Sequence, residues 1–145
     1  MPLLTATLTD PDFGLTIVDI ADNRMQIDIP SDQGGNGKGM RPMQTLLAAL
    51  CGCSAVDIIG ILKKQRQSLT GLVIKVDGER EKDITPAVWK TLDLVFELTG
   101  GIEERKAYKA VAISINKYCS VAETLRRAGA VISFKIFVNN EEIKK

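Results

Sequence analysis

Residues 43–66, led by Pro42, form a run in which almost every helical turn is apolar. About 24 helical residues would span ~36 Å, the width of a small domain. A helix with no polar face is either buried all round or crosses a membrane. Gln44, Thr45, Ser54 and Asp57 interrupt the run, and the stretches between them are too short to span a bilayer. The expectation is a long core helix wrapped by the rest of the protein. Pro42 suits its first position, where the missing N–H is harmless and φ is preset. Lys63, Lys64 and Arg66 complement the negative end of its dipole, and the helix should end near Gln67 and Ser68. Gly52 and Gly60 suggest close approach of another backbone, because glycine inside a helix otherwise costs ~1 kcal/mol against alanine.

The flanking segments read as strands, turns and shorter helices. Residues 3–9, 13–20 and 24–30 form an antiparallel meander, with Ala21, Asp22 and Asn23 in a hairpin turn. Residues 31–41 hold four glycines in six residues and read as a flexible connection. They match neither phosphate-binding glycine pattern, so nucleotide binding is not expected. Residues 71–80 and 88–98 are strands, the second alternating Leu92, Leu94, Phe96 and Leu98 against Thr91, Asp93 and Glu97. Residues 102–116 form a helix with a Tyr108, Val111, Ala112, Ile115 stripe. Ser120 and Glu123 fit a capping box opening another helix through Ala128, with Gly129 as its C′ residue. A last strand covers residues 130–138, and the polar tail after it should fray. The whole, residues 1–145, is expected to be one α+β domain.

The chemistry open to this chain is narrow. Histidine is absent, which removes the usual general base and the usual neutral metal ligand. Three cysteines and no histidine make neither a disulfide framework nor a four-ligand zinc site, so no metal or cofactor is expected. A net charge of +1 gives no reason to expect nucleic acid or anionic membrane as partner. The start of the chain shows no basic leader or long apolar segment, and a cytoplasmic location is the expectation. Cys119 lies at the start of a helix and near Lys117, both of which favour thiolate, and its other reading is a buried structural cysteine. Cys53 sits among apolar neighbours with Asp57 one turn on, and taken by itself reads as a core residue. Cys51 is about 200° round the helix from Cys53 and cannot pair with it.

Two segments carry a family resemblance. The stretch RPMQTLLAALCGCSAVDIIGILKKQR resembles the proline-led central helix of the OsmC/Ohr proteins, the osmotically inducible and organic hydroperoxide resistance proteins. KYCSVAETL resembles the segment that carries their second cysteine at the start of a later helix. The order of elements matches along essentially the whole chain. The resemblance implies an intertwined homodimer in which antiparallel sheets wrap long buried helices. It implies Cys53 as the peroxidatic and Cys119 as the resolving cysteine. The cycle it implies oxidises Cys53 to a sulfenic acid with a small organic hydroperoxide, condenses it with Cys119, and restores both by an external dithiol. The alternative is a non-catalytic OsmC-like module binding a small apolar ligand at the dimer interface. Met43 stands where peroxidase members carry a glutamate, and residues 10–15 hold no counterpart of their hairpin arginine. Arg24 and Arg41 lie nearby in sequence.

Overall fold

The structure is a computed structural model that describes residues 1–145, and the chain falls into two compact units, Met1–Ala48 and Ala49–Lys145. The first unit is built on the expected meander. Strands β1 (Leu4–Leu8), β2 (Leu15–Asp19) and β3 (Arg24–Ile27) form a three-stranded antiparallel sheet. Asp22, at φ 64°, turns the β2–β3 hairpin. The Asp19 carboxylate accepts the N–H groups of Ala21 and Asn23 and the Asn23 side-chain amide, which holds its pKa below the usual value. Arg24 pairs with Asp22 at 2.9 Å on the same exposed turn.

The glycine-rich segment departs from the flexible connection expected of it. Its backbone wraps the buried carboxylate of Asp28, which accepts from the N–H groups of Ile29 (2.7 Å), Asn36 (3.2 Å) and Lys38 (3.0 Å). Met40 bridges to Ile27 beside it. A Cβ on Gly35 would stand 2.2 Å from the Ile29 carbonyl oxygen, and one on Gly39 2.7 Å from that of Gln26, so glycine is what permits these approaches. The N–H groups that could have cradled a phosphate are filled from within by Asp28. These bonds, led by the one from Lys38, lower the Asp28 pKa below its ordinary 3.8. The sign follows: the carboxylate's contribution is present above pH 3.8 and is lost as the pH falls through the lowered value. Asp28→Ala should therefore speed hydrogen exchange of the Asn36 and Lys38 amides at neutral pH by roughly tenfold. Unchanged protection of those amides would remove Asp28 as the organiser of the loop.

Helix α1 (Pro42–Lys64) starts at the proline, as expected. Arg41 is its cap: the Gln44 side chain accepts the Arg41 N–H at 3.2 Å, and the Arg41 carbonyl accepts from Gln44 and Thr45. It ends slightly earlier than expected, at Lys64, where Arg66 at φ 58° takes the left-handed position usually held by glycine. A larger difference concerns burial. Within one chain α1 buries only the stripe Leu50, Ser54, Ile58 and Leu62, while Val56 is 73% and Ile59 48% exposed. Cβ atoms at Gly52 and Gly60 would meet nothing within 4 Å, so no backbone of this chain crosses there. By length and composition α1 could cross a membrane, with a mean hydropathy of 2.1 over its most apolar window. Its buried Ser54 and the hydrogen bond of Asp57, described below, tie it instead into the α+β fold.

The second unit carries a sheet ordered β4 (Ser68–Arg80), β5 (Trp89–Gly101), β6 (Val131–Val138), β7 (Glu141–Ile143). β4 and β5 form a long hairpin, β6 lies parallel to β5, and β7 runs antiparallel to β6. Leu92, Leu94, Phe96 and Leu98 are all buried, as their alternation predicts. The strand β7 replaces the frayed tail expected there. Asn139 and Asn140, at φ 50° and 69°, make a two-residue turn of the kind that suits hairpins, and Ile143 is buried opposite Ile136. Between β5 and β6 run α2 (Glu104–Ile113), a π-helical turn (Ser114–Tyr118) and α3 (Ser120–Arg127). The buried face of the first two holds Val111 and Ile115 of the expected stripe together with the small residues Ala107, Ala110 and Ser114, while Tyr108 and Ala112 are half-buried.

Candidate functional site

The second unit brings two of its cysteines together. Cys53 is half-buried in the middle of α1, and Cys119 is 2% exposed at the start of α3. The wide turn makes the meeting possible. Its last hydrogen bond runs from the Cys119 N–H to the Ser114 carbonyl at 2.8 Å, one residue wider than an α-helical turn. Cys119 itself, not Ser120, is the cap of α3: its sulfur accepts the Ala122 N–H at 3.4 Å. The expected capping box is therefore displaced, and Glu123 pairs instead with Arg127 at 3.0 Å. Cys119 also lines an open depression of about 310 Å³ with Lys117, Tyr118, Glu123 and Arg127.

The electrostatics of Cys119 favour the buried thiol over the activated thiolate. Burial pushes its thiol up to about 11. The Ala122 N–H opposes this, whereas a hydrogen bond to Cys53 and the charge on Cys53 add to it. Removal from water outweighs the end of a short helix dipole. At neutral pH Cys119 thus keeps its proton, in hydrogen-bonding reach of the Cys53 sulfur. Cys51, half-buried, is likewise pushed up by burial, and all three cysteines are free. Against an ordinary thiol at 9.0, the stabilisation from the protonated Cys119 is complete below pH 9.0 and is lost as the pH rises through about 11. In a Cys51→Ser background, the alkylation rate of Cys119 should reach half its maximum near pH 11, and Cys53→Ser should move that midpoint down. A midpoint that does not move would separate the two thiols.

Asp57 also finds a partner. The hydroxyl of Ser114, fully buried, donates to Asp57 Oδ2 at 3.0 Å and lies 3.3 Å from the Ser54 carbonyl oxygen. Ser54 Oγ donates back into its own helix, to the Leu50 carbonyl at 2.9 Å. On the far side of the turn Arg126 Nη2 donates to the Ile115 carbonyl at 2.6 Å. Sequence reasoning missed Ser114 and Arg126. The signal for Ser114 was its place on the Ala107, Ala110, Ser114 face, but nothing local announces its partner on α1.

Known proteins of this shape agree on the family. The sequence pattern described as OsmC-like protein matches residues 35–135. Protein YhfA of Escherichia coli (strain K12) is 34% identical over 116 residues, covering 79% of this chain and 84% of YhfA. A solved structure of a protein from Aquifex aeolicus VF5 superposes with a TM-score of 0.76 at 26% identity, covering 94% of this chain and 96% of its own. The organic hydroperoxide resistance protein OsmC from Legionella pneumophila shares the fold, with a TM-score of 0.69 at 16% identity over 95% of this chain and 98% of its own. With two sheets, a long cysteine-bearing helix and a match over residues 35–135, the chain belongs to the OsmC-like protein family.

Proposed function

We propose that the protein is a thiol-dependent reductase of organic hydroperoxides, with Cys53 as the attacking and Cys119 as the resolving cysteine. The observation that carries this is the pairing of Cys53 with a buried, protonated Cys119 in a member of this family. The Legionella pneumophila protein of the same fold, an organic hydroperoxide resistance protein, supports the substrate class. The sulfur of Cys53 attacks the outer oxygen of the hydroperoxide, the O–O bond breaks, and the alkoxide leaves with a proton as an alcohol. Cys53 becomes a neutral sulfenic acid. Oxidation of Cys53 removes its charge, a lesser cause of the raised Cys119 pKa beside burial. The Cys119 sulfur displaces hydroxide from Cys53, its proton leaves with the hydroxide as water, and a disulfide forms. An external dithiol takes up the oxidation and restores both thiols.

The working form is a homodimer. The exposed Val56 and Ile59 of α1, with open space at Gly52 and Gly60 on the same helix, support a second copy of the chain as the missing cover. The test of function is stoichiometric. Reduced protein mixed with an organic hydroperoxide should lose two thiols per chain and yield a Cys53–Cys119 peptide, faster than with hydrogen peroxide. Thiols that survive, or oxidise only as slowly as a free cysteine, would refute the assignment.

A further inference from the structure

The segment bearing Cys119 is fastened to the helix bearing Cys53 by a half-buried hydrogen bond between the Ser114 and Asp57 side chains. Ser114 donates its hydroxyl to Asp57 Oδ2 at 3.0 Å, and the Ser114 carbonyl accepts the Cys119 N–H at 2.8 Å. A continuous path therefore runs from the α1 carboxylate, through one residue, to the backbone of the second cysteine. Asp57 lies one helical turn from Cys53, so both ends of that path sit on neighbouring positions of α1. The wide turn has the looser hydrogen bonding of a π-helix, which gives it a reason to need an outside anchor. Arg126 supplies one at the α3 side, through the Ile115 carbonyl. Asp57 supplies the other, by accepting the Ser114 hydroxyl.

We propose that Asp57, acting through Ser114, is a positioning residue that holds Cys119 within reach of Cys53 and so sets how readily the two thiols join. This rests on the reading of Cys53 and Cys119 as a redox pair, and it assigns a task to an acid that the peroxide chemistry does not use. What matters in it is acceptance of the serine hydroxyl, so an amide should serve nearly as well as the carboxylate.

The test needs no peroxide. In the full-length Cys51→Ser protein, the Cys53–Cys119 disulfide is equilibrated against mixtures of reduced and oxidised dithiothreitol and scored by mass after alkylation. Asp57→Ala and Ser114→Ala should each lower the equilibrium constant for disulfide formation about tenfold, the loss of one half-buried hydrogen bond. Their combination should be little worse than either alone, and Asp57→Asn should stay within about threefold of the parent. Should Asp57→Ala fail to fold, Ser114→Ala, which removes only a hydroxyl, carries the test. Equal values for parent and Ser114→Ala, or a fall in Asp57→Asn as large as in Asp57→Ala, would overturn the proposal. So would a parent that forms no Cys53–Cys119 disulfide under oxidised dithiothreitol. A parent that forms it, loses it in the variants, yet leaves organic hydroperoxide intact would uphold the positioning role and remove only the peroxidase reading.

Discussion

Cys53→Ser should abolish consumption of organic hydroperoxide, with turnover falling by at least on the order of a thousandfold, because it removes the nucleophile itself. Cys119→Ser should behave differently. The first oxidation should proceed, one alcohol should appear per chain, and the reaction should then stop with Cys53 as a sulfenic acid that a cyclic diketone traps stoichiometrically. The difference arises from the two environments. Cys53 is half-buried, whereas Cys119 is 2% exposed and burial holds its thiol protonated at neutral pH. Peroxide consumption and the trapped adduct, followed by mass spectrometry, check both outcomes. Turnover retained in Cys53→Ser would sink the assignment of roles.

In the proposed homodimer, Val56→Asp should leave a monomer at concentrations where the parent pairs. Val56 is 73% exposed in the single chain, on a helix that offers apolar side chains where a solvated helix would carry charge. A second copy covering that face would trap an unpaired carboxylate at its centre, at a cost of about 3–5 kcal/mol. That corresponds to roughly two to four orders of magnitude in the dissociation constant. Sedimentation velocity across a dilution series reads it directly. A parent that sediments as a monomer at every concentration would remove the dimer, and a variant that dimerises as tightly as the parent would move the interface elsewhere.

Much of this architecture was readable from local pattern. Pro42 marked the start of α1, and the alternation of Leu92, Leu94, Phe96 and Leu98 gave the buried face of β5. The two cysteine-bearing segments led to the family that the match over residues 35–135 bears out. What escaped depends on partners distant in the chain. The order of the glycine-rich loop comes from the carboxylate of Asp28, eight and ten residues before the amides of Asn36 and Lys38 that it binds. β7 needs β6 to exist, and its polar residues carry one buried anchor, Ile143. For Cys119 two readings stood open, an activated thiol and a buried one, and the burial that decides between them is not visible in sequence. The same holds for α1: an apolar helix states that it must be covered, and not by which chain.

The parallel pairing of β5 with β6 has a consequence for how the protein is made. Cys119 lies in the crossover between those strands, 66 residues after Cys53. A chain emerging from the ribosome can form the β4–β5 hairpin early, but it cannot complete the parallel pair until β6 has been synthesised. Pairing of β6 with β5 is therefore a late event in folding, after both cysteine-bearing segments have been made.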